Sequence, residues 1–286
     1  MMKTILVTGS NGQLGKCIEE TQAYYPSYRF VFTDPQTLDI TNSSQTQKFF
    51  IDNKISWCIN CAAYTNVDNA ESKKENAYQV NAFGVKNLAE ACEKYNVKLI
   101  HISTDFVFDG NKTTPYNEED TTNPSGVYGQ SKLKGEKIIT SILKQYYIIR
   151  TSWLYSQFGH NFLKTMLKLS ETRNEINVVS DQVGTPTYAE DLSKVLMTII
   201  SRDNDKFGIY HYSNEGIVSW FEFAQKIFEL KNLPVKINPI ASTEYPTPAQ
   251  RPKYSVLDKT KIKQAFNIEI PKWEESLKIA LNKINE

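Results

Sequence analysis

Tyr128 and Lys132 stand four residues apart in Tyr128-Gly129-Gln130-Ser131-Lys132. On a helix, that spacing projects both side chains from one face. A free phenol has a pKa of about 10, too high for efficient proton exchange near neutrality. An ammonium beside it favours the phenolate and lowers that value. The same ammonium can hold ribose hydroxyls. By itself the spacing also fits a solvated helix face. It gains weight from Ile102-Ser103-Thr104-Asp105, where an apolar run ends in two hydroxyls. Ligands of parallel sheets gather at the C-terminal ends of strands, where such a hydroxyl can bond a substrate carbonyl. An isolated Ser-Thr pair would more simply cap a turn.

Chemistry of this kind needs a bound redox partner, and the N-terminus offers a place for one. Gly9, Gly12 and Gly15 punctuate Thr8-Gly9-Ser10-Asn11-Gly12-Gln13-Leu14-Gly15, between an expected strand at 3–8 and a helix from about 12. Glycines let the backbone approach a pyrophosphate, and the helix N-terminus supplies N–H groups and a positive dipole end. The G-x-x-G-x-x-G spacing is one residue wider at its start than the usual dinucleotide fingerprint. Asp34 closes the next expected strand, 29–33, where an acid would bond the adenosine ribose and favour NADH over NADPH. Lys16 and Arg29 are near enough in sequence to offset that preference, and Asp34 before Pro35 also fits a turn cap. Asp39 and Ile40 fall where a loop would reach the adenine edge.

The intervening pattern alternates strand and helix. Helices are expected at 43–53, 71–95 and 128–144, with strands at 56–60, 97–103 and 146–150. This predicts an α/β fold, a Rossmann-like doubly wound parallel sheet. The expected division is a dinucleotide-binding domain at 1–155, rejoined by a segment near 185–205, and a smaller substrate lobe at 156–286. In that lobe, helices are expected at 161–169, 188–201 and 219–230, with strands at 176–179 and 209–212. With 286 residues, 40% of them hydrophobic, the chain can bury such a core. Its 33 basic and 32 acidic residues argue against a nucleic-acid partner. No apolar run approaches a membrane span and no signal peptide is evident, so a cytoplasmic location is expected. Cys58 and Cys61 form C-x-x-C, but within an expected buried strand, which favours core residues over a redox or zinc pair. His101 reads as a satisfied core residue, His160 as a loop residue near the ligand, and His211 as part of a strand. Arg251 could pair with a diphosphate or lie at the surface, two readings of equal standing.

The glycine loop, Asn60-Cys61-Ala62-Ala63, Asn81, the Ser-Thr pair and Tyr-x-x-x-Lys together resemble the extended short-chain dehydrogenases/reductases. More narrowly, the chain resembles the dTDP-4-dehydrorhamnose reductase family. The likeness runs through Ala62–Glu71, Ser103–Gly110, Arg150–Tyr155, Asn161–Leu167 and Asp181–Thr187 to Arg251-Pro252. It implies reduction of the C4 keto group of a dTDP-4-dehydro-6-deoxy sugar to dTDP-L-rhamnose with NADPH or NADH. It implies Thr104, Tyr128 and Lys132 as the catalytic set. Ala62, Ala63, Tyr64 and Asn81 would join the glycine loop and Asn11, Gln13 and Leu14 at the cofactor. Thr65, Val67, Phe106 and Trp153 would line the sugar pocket, with Phe106 where the family often has Tyr. Some members dimerise through magnesium held by acids. Glu190 matches one of these, but no acid stands near Gly15, and no metal is expected. Two other readings share these motifs: a sugar-nucleotide epimerase or dehydratase, and a non-catalytic subunit like the regulatory subunit of methionine adenosyltransferase.

The family resemblance implies use of both cofactors, without absolute discrimination. Replacing Asp34 with Ala removes a negative charge that opposes the 2′-phosphate. The expected result is a rise of about tenfold in the kcat/KM ratio for NADPH over NADH. An unchanged ratio would show that Asp34 does not face the ribose.

Overall fold

The computed structural model describes residues 2–284. Its first half builds one sheet with covering helices. The elements are β1 (Lys3–Thr8), α1 (Gln13–Thr21), β2 (Tyr28–Thr33), α2 (Ser43–Asn53), β3 (Trp57–Asn60), α3 (Val67–Ser72), α4 (Lys74–Tyr78), α5 (Val85–Tyr95), β4 (Lys98–Thr104), α6 (Val127–Ile142) and β5 (Tyr146–Thr151). The second half adds β6 (Leu154–Tyr155), α7 (Phe162–Ser170), β7 (Glu175–Val179), β8 (Val183–Gly184), β9 (Thr187–Tyr188), α8 (Ala189–Arg202), β10 (Gly208–His211), β11 (Val218–Ser219), α9 (Trp220–Leu230), β12 (Lys236–Ile240), α10 (Thr260–Phe266) and α11 (Trp273–Ile284).

Six strands pair in the order β10-β5-β4-β3-β1-β2, all parallel. The chain steps outward from β1 to β2 and then crosses to β3 on the other side. That reversal leaves a crevice at the C-terminal ends of β1 and β3, the usual ligand position in such sheets. The expected Rossmann-like sheet is therefore present. Two later segments belong with it: α8 packs on α1, and β10 forms the sheet edge beside β5. The expectation grouped the residues of β10 with the smaller lobe, because a lone four-residue strand carries no sign of its partner.

Strand alternation divides the sheet's residues between two cores. Ile5, Val7, Trp57, Ile59, Ile100, Tyr147 and Ile149 face α1, α8 and α10. Leu6, Cys58, Leu99 and Ile148 face α5 and α6. Toward the C-terminal ends this second face turns polar. Register aligns Thr8, Asn60 and His101 in one row and Ser103, Arg150 and His211 in the next. All six are buried. A third core, around Tyr155, Tyr188, Phe223 and Trp273, fills the smaller lobe.

The helix expected at 71–95 is broken. Lys73 leaves helical geometry at φ −116°, ψ 52°, and residues Gln79–Gly84 form a π-helical turn. Apolar spacing continues across both interruptions, so periodicity alone could not reveal them. Close packing accompanies the wide turn. The Asn81 carbonyl lies where a Cβ on Gly135 of α6 would approach to 2.2 Å, and the Phe106 carbonyl lies equally close to Gly129. Alanine is the better helix former by about 1 kcal/mol. Steric overlap should outweigh that gain. Gly129→Ala and Gly135→Ala are each expected to lower unfolding free energy by about 1–3 kcal/mol in urea titrations. Alanine variants as stable as the parent would refute this packing.

Candidate active site

A cavity of about 850 Å³ occupies the crevice between the ends of β1, β3 and β4. Gly9, Asn11, Gly12, Gln13, Leu14 and Gly15 line one end. Gly9 has φ +65°, and a Cβ there would come within 2.6 Å of the Ala62 nitrogen. A Cβ on Gly15 would meet Ser10 at 2.5 Å. Only glycines allow this tight wrap, which the Gly12 N–H closes by donating to the Gly9 carbonyl at 3.0 Å. The first turn of α1 thus opens onto the cavity and contains no acidic residue. Its N–H groups lack intrahelical acceptors, and the dipole end is positive. The Gln13 amide oxygen accepts from Ser156 and Asn161, leaving the Gln13 backbone for the ligand. The cradle fits a pyrophosphate, so these residues fit a dinucleotide.

Asp34 serves its turn and the cavity together. One carboxylate oxygen accepts from the N–H groups of Gln36 and Thr37, and the other from Asn11 Nδ2 at 3.0 Å. These bonds, those from Thr37 foremost, hold its carboxyl below the usual range. The cations suggested as offsetting groups are elsewhere: Lys16 pairs with Glu19, and neither Lys16 nor Arg29 lines the cavity. Asp39 and Ile40 do line it, as do Ala62, Ala63 and Tyr64.

The other end holds the residues expected to be catalytic. Thr104, Tyr128 and Lys132 line the cavity, with Thr65, Val67, Phe106 and Trp153 beside them. Tyr128 sits in the first turn of α6, whose Val127 N–H donates to Glu71 Oε1 at 2.8 Å. Glu71 therefore seats the first turn of α6 from α3. The Phe106 ring meets the Tyr128 ring edge-on at 5.6 Å. Thr104 acts on the Tyr128 phenol as a neighbouring hydroxyl, while Ser103 Oγ donates to Glu136 at 2.5 Å. Both hydroxyls line the cavity, and Thr104 Oγ1 has its own partners, accepting from the Phe106 N–H at 3.2 Å and donating to the neighbouring Asp105 carboxylate.

One expectation is corrected here. The Tyr128 phenol is not lowered: burial pushes it up to about 12, with only partial relief from Thr104. The Lys132 amine is directed to the Ile102 carbonyl at 2.6 Å and lies 3.4 Å from His101 Nε2. Its own burial brings it down to about 8, against the opposing effect of Glu136.

Asn81 and Arg251 are not among the lining residues. The Asn81 amide bonds both backbone groups of Tyr64 and the hydroxyl of Ser131, so it shapes the cavity wall from behind. Arg251 grips Asp68 through both carboxylate oxygens, at 2.8 and 3.1 Å, tying the smaller lobe to α3. Glu190 is paired with Lys194 and Lys283. Cys58 is buried in β3, but Cys61 lies just past the strand and lines the cavity, a correction to its core reading. Its thiol is raised by desolvation. Asp105 and His160 also line the cavity. Burial raises the Asp105 carboxyl to about 6, and Thr104 donates to it at 3.0 Å. Asp105 directly follows Thr104 in sequence, which was the available sign of its placement.

Comparison with known proteins agrees with this arrangement. Residues 2–286 match the family described as RmlD substrate binding domain. A dTDP-4-dehydrorhamnose reductase of Aggregatibacter actinomycetemcomitans is 42% identical over 288 residues, 97% of this chain and 98% of that protein. A crystal structure of a dTDP-4-dehydrorhamnose reductase from Clostridium acetobutylicum superimposes with a TM-score of 0.95 at 42% identity, covering 99% of this chain and 100% of that one. A Bacillus anthracis enzyme of the same name, solved in complex with NADP, gives a TM-score of 0.95 at 41% identity over the same shares. Matched along nearly its whole length in sequence and in fold, the chain belongs to the dTDP-4-dehydrorhamnose reductase family.

Proposed function

We propose that this protein reduces the C4 keto group of dTDP-4-dehydro-6-deoxy-L-mannose to dTDP-L-rhamnose, using NADPH or NADH, in the cytoplasm. The observation that carries the reading is one cavity lined both by a pyrophosphate cradle and by the Thr-Tyr-Lys set. The bound dinucleotide would supply the hydride. Tyr128 then gives its proton to the C4 oxygen. Its raised pKa suits that direction, since a phenol pushed up to about 12 by burial is protonated at neutral pH. Thr104 orients the carbonyl beside the phenol. Lys132 holds the ribose hydroxyls.

Trp153 would form the wall of the sugar pocket. Its backbone takes φ +47°, and its indole stacks on Trp220 at 3.5 Å with planes 9° apart. Gly184 makes room for it, since a Cβ there would meet the indole at 2.7 Å. A residue held so firmly can discriminate ring shape.

Incubation with NADPH and the keto sugar should consume both in equal amounts and yield the deoxysugar product. Sugar turnover without net NADPH oxidation would replace this reading with the epimerase or dehydratase class. General acid catalysis contributes about 10²–10⁴-fold, so Tyr128→Phe should lower kcat at least about a hundredfold while NADPH still binds. Near-normal turnover by that variant would remove Tyr128 from the mechanism.

A further inference from the structure

The polar row Thr8, Asn60 and His101 leads directly to Lys132. Thr8 Oγ1 donates to Asn60 Oδ1 at 2.7 Å, and the Ala62 N–H donates to the same oxygen at 3.2 Å. A backbone N–H can only donate, so the Asn60 carbonyl must face Ala62. The Asn60 NH2 group therefore faces His101 Nδ1, at 2.9 Å, and donates to it. Nδ1 must accept, which leaves the proton of a neutral imidazole on Nε2. Nε2 lies 3.4 Å from the Lys132 amine. An N–H aimed at an ammonium offers it no acceptor. The imidazole is wholly buried, and both burial and the nearby lysine keep its pKa well below the usual value.

We propose that His101, its tautomer fixed by Asn60, is a positioning residue that denies Lys132 an acceptor on the sheet side and turns the amine toward the Ile102 carbonyl and the cavity. One donor goes to Ile102 at 2.6 Å. The others are left for ligand hydroxyls. An Nε2–H can donate to a neutral amine but not to an ammonium, so the same contact eases loss of the lysine proton. The charged and titratable groups facing Lys132 are His101 on β4, Glu136 on α6 and Cys61 after β3. Glu136 and Cys61 favour the ammonium, while burial opposes it. The lysine titrates at about 8. The inference rests on the proposed function only in taking Lys132 to meet the cofactor.

The chain has 3 histidines, so a ¹⁵N-imidazole NMR spectrum of the whole protein can be assigned with single variants. His101 is expected to stay neutral and Nε2-protonated from mildly acid to mildly alkaline pH. An Nδ1–H tautomer or an imidazolium would overturn the proposal. A second arm follows NADPH affinity against pH. In the parent protein, affinity should fall as Lys132 deprotonates, near pH 8. His101→Asn keeps an acceptor for the Asn60 NH2 group and removes the N–H aimed at Lys132, so the fall should move upward by about one pH unit. An unshifted profile in a folded variant would contradict the assignment. If that variant does not fold, the parent spectrum still decides. Neither arm uses the sugar. Failure of the reductase reading would leave both results standing, and a wrong tautomer would overturn only this inference.

Discussion

Glu136 and Arg150 form an ion pair at 2.7 Å with side chains only 2% and 3% exposed. Removing one member of such a pair commonly costs about 3–5 kcal/mol, because the other is left charged and dry. Here the pair also fixes orientation. Glu136 accepts from Ser103 on β4, Arg150 belongs to β5, and Glu136 itself lies four residues beyond Lys132 on α6. The helix that carries Tyr128 and Lys132 is thus pinned across two strands. Arg150 is further covered by the Phe108 ring at 5.2 Å and lies 3.4 Å from His211. No water is needed to satisfy the cluster, so the lysine above it can be buried and remain close to a compensating carboxylate.

The chemistry depends on keeping that face dry while leaving its upper end open. Toward the N-terminal ends of the strands, Leu6, Cys58 and Leu99 pack apolar surface against α5 and α6. Toward the C-terminal ends, hydroxyls, an amide, two imidazoles and a guanidinium replace them. The smaller lobe then closes the opening from the far side. Trp153 is held by Trp220, and Arg251 is held by Asp68. Gln13 reaches from the glycine loop to Ser156 and Asn161, so the nucleotide cradle and the second lobe are coupled through one amide.

Local chemistry made much of this legible in the sequence. The glycine loop, Asp34 and the Tyr128–Lys132 spacing each carry their reason in a few consecutive residues, and the helix expected at 43–53 stands at Ser43–Asn53. Interruptions hidden beneath continuing apolar periodicity were not legible, as at Lys73 and the π turn around Asn81. Nor were partners far apart in sequence. Tyr-x-x-x-Lys suggested an ammonium beside a phenol, but the structure directs Lys132 to Ile102 and His101. Arg251 read equally as a diphosphate partner or a surface residue, and its pairing with Asp68, 183 residues away in sequence, was visible in neither reading. His101 read as a quiet core residue because its significance depends on the register of three strands.

The central claim is that the cavity directs a hydride to C4 of the sugar while Tyr128 protonates the adjoining oxygen. Transfer from NADPH carrying two deuterium atoms at the nicotinamide C4 tests it most directly, with the sugar product analysed by NMR. The account predicts deuterium at C4 of the deoxysugar, on a single face and in proportion to turnover. A product without deuterium at C4, or label returned to the cofactor pool during sugar turnover, would contradict it.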